Sequence, residues 1–366
     1  MNFQYNNQSY TIKRYPLSNN SSLQAWSAAD EHLLKYIEHL PQANTNVTII
    51  NDRFGFLSCL LHPYQPNTIW TNKSHQKATE YNLRNNNIAP SNITFQTILS
   101  PDLGITDVGF LKIPKSLALF RLFLYQLSQS ANKNTIVYCS FMTRHFSPKI
   151  LRIAEDFFEH IEQSKAWKKS RVLLLKQPKA HQIETLTHKI NWEQEVFHQY
   201  FGVFSAGHID YASQFLIHNL PPVSSYKRVL DLASGNGILA ASIRKRNPTC
   251  ELHLLDDFFL AVESSKLNLE QNNTFFHNND NLEHFPANHF DCIISNPPFH
   301  FEHEVNIDIS LSLFKEVRRS LAPNGHFILV ANKHLNYKTH LDLLFPKVFI
   351  IKENKKFVVY QCNISV

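Results

Sequence analysis

The run Asp291-Cys292-Ile293-Ile294-Ser295-Asn296-Pro297-Pro298-Phe299-His300 decides the fold class. Its first four residues are short, apolar and rich in β-branched side chains, which predicts a buried strand. Two prolines then stop the strand, because neither has an N–H to give to a ladder. The result is a rigid elbow at the strand's carboxyl end, the edge at which open α/β sheets bind ligands. A strand-ending Pro-Pro turn with Phe299 in the core would leave the same trace, so the surroundings must decide.

Upstream, Arg228 to Leu232 predicts a strand, and Asp231-Leu232-Ala233-Ser234-Gly235-Asn236-Gly237 leads from it into a helix from about Gly237 to Arg246. The chain has only eight glycines, so Gly235 and Gly237 together mark a turn that needs positive φ or close ligand approach. Glu251 to Leu255 is the next strand, and Asp256 after it stands where an acid accepts hydrogen bonds from a ribose diol. Asn279 and Asp280, after the strand Thr274 to His277, are candidates for contact with an adenine ring. The missing third glycine argues against a dinucleotide turn. A cationic sulfonium ligand would instead favour the nearby carboxylate of Asp231.

Working outward, strands and helices alternate along the whole chain, which predicts α/β architecture with parallel, doubly wound sheets. The first half reads as a helix over Leu23 to Leu40 with Asp30 and Glu31 on its wet side, then strands near residues 47–50, 68–71, 93–96, 108–113, 135–138 and 171–175. Pro148 to Ile161 reads as its final helix. The second half repeats the order and ends in a hairpin, residues 348–351 and 357–360, the pattern of seven-stranded methyltransferase domains. The two halves look like a duplication. Asn51 is aligned with Asp231, and Lys112-Ile113-Pro114-Lys115 then stands at the elbow without the Asn, the second Pro or the Phe. The expectation is two tandem Rossmann-like domains: 1–187, degenerate and devoted to substrate recognition, and 188–366, catalytic and seven-stranded.

Composition bounds the class. Hydrophobic residues at 43% and charged residues at 18% describe a globular chain rather than a disordered one. No apolar run reaches membrane-spanning length, and the start lacks the basic-then-apolar order of a signal peptide. The five scattered cysteines fit buried thiols in a reducing compartment and show no zinc spacing, so a cytoplasmic location, no membrane and no metal are expected. Residues 1–187 carry 20 Lys and Arg against 12 Asp and Glu, whereas residues 188–366 carry 16 against 18. The basic excess therefore belongs to the first half and suggests a polyanionic partner there. Lys165, Lys168, Lys169 and Arg171 cluster near its end; phosphate contact and a solvated strand edge are both open readings.

The elbow suits one chemistry. An amino group on a planar base is a poor nucleophile, because its lone pair is delocalised into the ring. Acceptors on its two N–H bonds draw the nitrogen toward a tetrahedral, reactive state, and the Asn296 side-chain oxygen and Pro297 carbonyl are candidates for them. Pro298 stiffens the elbow, and Phe299 is placed to stack on the base.

With these residues in view, the chain resembles the ribosomal RNA guanine-N2 methyltransferases. The resemblance is carried by Gly202-Val203-Phe204-Ser205, Asp210, the glycine turn, Asn296-Pro297-Pro298-Phe299-His300 and Val330-Ala331-Asn332. The large-subunit (23S) family, methyltransferase G, is nearer than its small-subunit relative. The first half is similar to it through Leu23-Gln24-Ala25-Trp26, Ala28-Ala29-Asp30-Glu31, Asn51-Asp52, Phe54-Gly55, Ser58-Cys59, Pro114-Lys115 and Ala166-Trp167-Lys168-Lys169. The resemblance implies S-adenosyl-L-methionine as cofactor, 23S rRNA (naked or in an assembling particle) as partner, and an inactive first domain. It implies cofactor contacts from Phe204, Asp210, Asp231, Ala233, Gly235, Gly237, Asp256, Asn279, Asp280 and Asn296. Ala233-Ser234 stands where the family has Gly-Cys, and Ala206 and Ala212 stand where Arg and Gly are usual. The elbow alone also fits methylation of adenine N6 or of a protein glutamine. The Ala233 and Ala206 departures raise a non-catalytic RNA-binding or assembly factor as the rival of another class.

Overall fold

A computed structural model describes residues 2–17, 23–37, 40, 45–180, 185–205, 207–297 and 307–365, without the side chains of 307–311. It divides into two compact units, 1–186 and 187–366.

In the first unit, a hairpin of β1 (Asn2–Tyr5) and β2 (Gln8–Thr11) precedes helix α1 (Ala28–Ile37). Then come β3 (Val47–Ile50), α2 (Phe56–Leu60), β4 (Asn67–Trp70), α3 (Lys73–Asn85), β5 (Thr94–Thr97) and β6 (Thr106–Lys112). They are followed by α4 (Leu117–Ser130), β7 (Ala131–Met142), α5 (Pro148–Phe157), β8 (Phe158–Gln163) and β9 (Ser170–Pro178). The strands form one sheet in the order β5-β4-β3-β6-β7-β9-β8, parallel through β7 and antiparallel at β9. Val47–Ile50 is buried at every position, as a central parallel strand covered on both faces must be.

The second unit opens with a hairpin, β10 (Thr187–Trp192) and β11 (Glu195–Tyr200), and helix α6 (Tyr211–His218). It continues with β12 (Arg228–Leu232), α7 (Ile238–Arg246), β13 (Glu251–Asp256), α8 (Phe259–Asn268), β14 (Thr274–Asn278) and β15 (Phe290–Ser295). After α9 (Ile307–Ser320) come β16 (Leu321–Asn332), α10 (Tyr337–Leu344), β17 (Lys347–Glu353) and β18 (Phe357–Asn363). Its sheet order, β14-β13-β12-β15-β16-β18-β17, repeats that of the first unit strand for strand. Two apolar clusters lie on this sheet, one around Val229, Ile294 and Ile328 and one around Leu230, Ile293 and Phe327. Alternate residues of the same strands feed opposite faces.

Three expectations are corrected. The helix expected to reach Ile161 stops at Phe157, and Phe158–Gln163 becomes the antiparallel edge strand β8. Its burial does not alternate, since Phe158 is buried and both Glu159 and His160 are exposed, so only the antiparallel pairing with β9 marks it as a strand. The first helix begins at Ala28, and Asp30 is buried rather than wet. It accepts from the Ser27 N–H at 2.7 Å and forms an ion pair with Lys112 at 2.8 Å.

The third correction concerns the duplication. Ile50 pairs with Leu111 and Ile69, as Leu232 pairs with Ser295 and Leu255. The next residue is left-handed in both units, Asn51 at φ 64° and Ala233 at φ 60°, and each helix cap follows four residues on, at Gly55 and Gly237. Asn51 therefore matches Ala233, not Asp231. By the same register Arg53 stands at the place of Gly235, Trp70 at that of Asp256, and Lys112 at that of Asn296.

The capping glycines are kept for packing. A Cβ on Gly55 (φ 72°) would lie 2.6 Å from Thr79 Cα, and one on Gly237 (φ 82°) 3.1 Å from a Leu269 methyl. Gly55→Ala is expected to lower unfolding free energy by about 2–4 kcal/mol, combining left-handed strain with overpacking. Gly104→Ala (φ 73°, open space around its Cβ) should cost only the strain, about 1–2 kcal/mol. Urea unfolding of both variants checks the difference.

Candidate active site

Strand order reverses between β12 and β15, so the chain leaves their carboxyl ends in opposite directions and opens a crevice there. Leu232 and Ser295 are the last paired residues, and Ala233 and Asn296 are the first beyond them.

Asn296 is held by two partners. Its Nδ2 donates to Asp210 Oδ2 at 2.8 Å and to Ser213 Oγ at 2.9 Å. Asp210 also caps α6, accepting from the Ala212 and Ser213 N–H groups at 3.0 and 3.3 Å. A carboxylate only accepts, so the nitrogen end of the amide must face it. With both Nδ2 hydrogens engaged, Oδ1 is left to accept from a ligand. Pro297 is buried beside it. Pro298 and Phe299, like Ala206, lie outside the described residues.

The glycine turn has three left-handed residues, Ala233, Gly235 (φ 56°) and Gly237. Ala233 adopts that conformation despite its Cβ, held by its N–H donating to Leu255 O at 2.8 Å. Asp256 Oδ2 accepts from Gly235 N–H at 2.9 Å, its Oδ1 accepts from Phe258 N–H at 2.9 Å, and Ser265 Oγ donates to Gly235 O at 3.0 Å. Asp231 is fully buried. Its Oδ2 accepts from Ala240 N–H at 2.9 Å, so it secures the first turn of α7, whose N–H groups lack helical partners.

The residues fit an adenosyl cofactor on two observations. A Cβ on Gly235 would meet nothing within 4 Å, so the turn faces open space where a ligand can press against backbone. Three buried polar atoms at this edge, Asp231 Oδ1, Ser234 Oγ and Asn278 Oδ1, have no hydrogen-bond partner among the described residues. Such orphans call for a ligand or water.

Other expected contacts fall differently. The Phe204 ring is 76% exposed, and what the fold fixes is its carbonyl. Buried Gln199 donates from Nε2 to Val203 O and Phe204 O, both at 3.1 Å, while its Oε1 accepts from Asn236 Nδ2 at 2.9 Å. Gln199 thus ties the 202–205 segment to the glycine turn, and no local pattern marks it, because its partners lie in separate segments. Asn279 gives its N–H to Asp256 O at 3.1 Å and its side chain to His284 at 3.0 Å. Its neighbour Asn278 bonds the carbonyls of Asp256 and Asp257 and keeps the orphaned oxygen. Asp280 N–H donates to Asn279 Oδ1 at 3.1 Å. Glu251, His253 and His289 bring metal-ligand atoms within 4.8 Å of one another, but at the amino ends of the strands, away from the crevice.

The lysine cluster lies in the first unit. Trp167 and Ser170 exchange backbone hydrogen bonds at 2.9 and 2.8 Å around Lys168 (φ 46°) and Lys169 (φ 58°). Two left-handed central residues make a type I′ turn, which ordinarily takes Asn-Gly. Lys168 Nζ is 2.9 Å from Glu31 and 4.5 Å from the Trp167 ring centre. Lys165 and Lys169 are exposed, Arg171 half-buried.

Fold and crevice are those of an α/β methyltransferase. The family described as "RLMG N-terminal domain" matches residues 1–180, and "Methyltransferase small domain" matches 194–361. The chain belongs to the ribosomal RNA large subunit methyltransferase G family. It is 30% identical to that protein from Psychromonas ingrahamii over 96% of both chains. It is 31% identical to that from Pseudoalteromonas translucida over 98% of this chain and 97% of the relative. A solved T. thermophilus 16S rRNA guanine-N2 methyltransferase, bound to AdoMet and guanosine, shares the fold at TM-score 0.78 and 21% identity, covering 99% of this chain and 97% of that one. No helix among the described residues is long and apolar enough to cross a membrane.

Burial raises Asp256 to about 7, outweighing its two N–H donors, and raises Asp231 to about 7 with the Asp256 charge adding to it. A raised carboxyl favours the fold while protonated, so the cofactor-free protein should lose stability as pH rises from 4 through 7. An ionised Asp256 is the better acceptor for a ribose diol. S-adenosylmethionine affinity is therefore expected to tighten as pH rises from 6 to about 7, then level off. Calorimetry across pH, in buffers of differing ionisation heat, should show proton release on binding below pH 7.

Proposed function

We propose that this chain methylates the exocyclic amino group (N2) of a guanine in 23S rRNA, with S-adenosylmethionine as donor. The observation that carries this reading is the Asn296 amide: both hydrogens of Nδ2 are spent on Asp210 and Ser213, and Oδ1 remains as an acceptor. Membership of the methyltransferase G family supports the RNA substrate.

Asn296 Oδ1 and the Pro297 carbonyl accept the two N–H bonds of the base, orienting the nitrogen lone pair. Phe299 is assigned base stacking by its place after the two prolines. Asp256 and the Gly235 backbone hold the adenosyl group, and Asp231 acts at one remove by securing α7. When bound, S-adenosylmethionine supplies a methyl group on a positively charged sulfur. Residues 188–366 supply the chemistry and residues 1–187 the recognition of RNA, through Lys165, Lys168, Lys169 and Arg171. The substrate is naked 23S rRNA or an assembling particle that exposes the same base.

Asn296→Ala is expected to keep S-adenosylmethionine binding and folding while turnover falls about 10²-fold or more. Rates and calorimetry on the same preparation check it, and wild-type methylation by the variant would remove Asn296 from the mechanism. Nucleoside mass spectrometry of rRNA from a deletion strain should lose one 2-methylguanosine from 23S rRNA; loss of an adenine mark instead would redirect the reading.

The lysine turn gives a prediction with opposed signs. Lys168→Asn with Lys169→Gly supplies the residues that a type I′ turn prefers and should raise unfolding free energy by about 1–3 kcal/mol. RNA binding should weaken, with the slope of log affinity against log salt reduced by about 1–2. Thermal melts and salt-dependent anisotropy read the two effects separately.

A further inference from the structure

Asp210 serves the acceptor site through its carboxylate, and residues on either side of it carry exposed rings. Tyr211, the first residue of α6, is 64% exposed, and His208, two positions before the cap, is exposed as well. The two rings pack together, with 4.7 Å between their centres and a tilt of 44°. Their exposure does not come from a loose backbone. Ser205 Oγ donates to His208 O at 2.6 Å, Gln214 Nε2 donates to Ile209 O at 2.6 Å, and the Ile209 side chain is buried. Asp210 then accepts from the Ala212 and Ser213 N–H groups. The ring pair is thus presented on a fixed segment, beside the carboxylate that meets Asn296 Nδ2 at 2.8 Å. Rings left in solvent add little to folding, so the core gives no reason for the pair.

The charge of the second unit points to the same kind of contact. Residues 188–366 carry 16 Lys and Arg against 18 Asp and Glu, so this unit has no excess of cations with which to hold a polyanion. Asn296, the acceptor assigned to the base, nevertheless lies in it. A base that is modified on its ring substituents must leave its stack, and its neighbour then exposes a ring face. Aromatic side chains hold such faces without any phosphate contact.

We propose that the His208–Tyr211 pair is a stacking platform for an unpaired base next to the target guanine in the RNA strand. The inference rests on the reading of the chain as a 23S rRNA guanine methyltransferase and adds a base contact beyond Asn296, Pro297 and Phe299.

The test uses the full chain with a 23S rRNA transcript and S-adenosylmethionine. Tyr211→Ala should raise KM for the transcript, and weaken its binding measured by anisotropy, about tenfold. The slope of log affinity against log salt should keep its wild-type value, because no phosphate contact is removed. S-adenosylmethionine affinity should not change. Tyr211→Trp should restore KM, whereas Tyr211→Leu, which keeps apolar bulk without a ring face, should not. Phe349→Ala removes another exposed ring, from β17, and should leave KM at the wild-type value. Turnover that falls at unchanged KM in Tyr211→Ala would place the effect on the Asp210 cap and overturn the proposal. Rescue by leucine, or an equal loss from Phe349→Ala, would overturn it too. Normal wild-type methylation of 23S rRNA, with KM unchanged in Tyr211→Ala, would overturn it alone. A wild-type chain that neither binds nor methylates the transcript would overturn the functional reading and this inference with it.

Discussion

The parallel pairing of β12 with β15 is the constraint on which the site depends. β12 is followed in the sheet by β13 on one side and β15 by β16 on the other, the reversal of strand order at which open α/β sheets bind ligands. Leu232 opposite Ser295 sets how far each strand extends there. Because the register is fixed by strands buried on both faces, Ala233 and Asn296 emerge together, one into the glycine turn and the other into the elbow. The two halves of the site, 63 positions apart in sequence, are brought side by side by core packing.

The polar shell then aims the groups. Asp210 is a helix cap and also the acceptor that orients the Asn296 amide. One carboxylate thereby couples the entry of α6 to the direction of the elbow, and the acceptor-only chemistry of that group decides which end of the amide stays available. In the first unit the matching position holds Lys112, paired with Asp30. The same kind of link, from helix to strand end, survives there with an ion pair that consumes both groups.

Comparison of the two sheets separates residues kept for folding from residues kept for ligand. Gly55 and Gly237 both cap a helix at positive φ, and both sit where a Cβ would press on a neighbouring helix, so the fold requires each. Gly235 has open space at its Cβ, so the fold places no steric demand there, and the first unit has Arg53 instead. Only the glycine facing open space has been replaced. The replacement of that glycine by Arg53 therefore goes with an unchanged strand order.

Periodicity by itself determined the two α/β units, the glycine turn, the terminal hairpin and the elbow, because buried parallel strands read as short apolar runs and prolines end them. Local composition also located Asp256 and Asn296 at strand ends. Tertiary structure alone decided the rest. Strand β8 was hidden because a helical start masks a short edge strand. Asp30 is buried because its partner Lys112 lies 82 positions away, and no local pattern reports a distant counter-charge. Gln199 reaches the turn through contacts from a separate hairpin, and Asp231, expected beside the cofactor, also secures the first turn of α7 through one carboxylate oxygen. The equivalence of Asn51 with Ala233 came only from strand register. Sequence fixes where each strand ends along the chain, whereas pairing fixes which end stands beside which, and a site is made of ends that stand together.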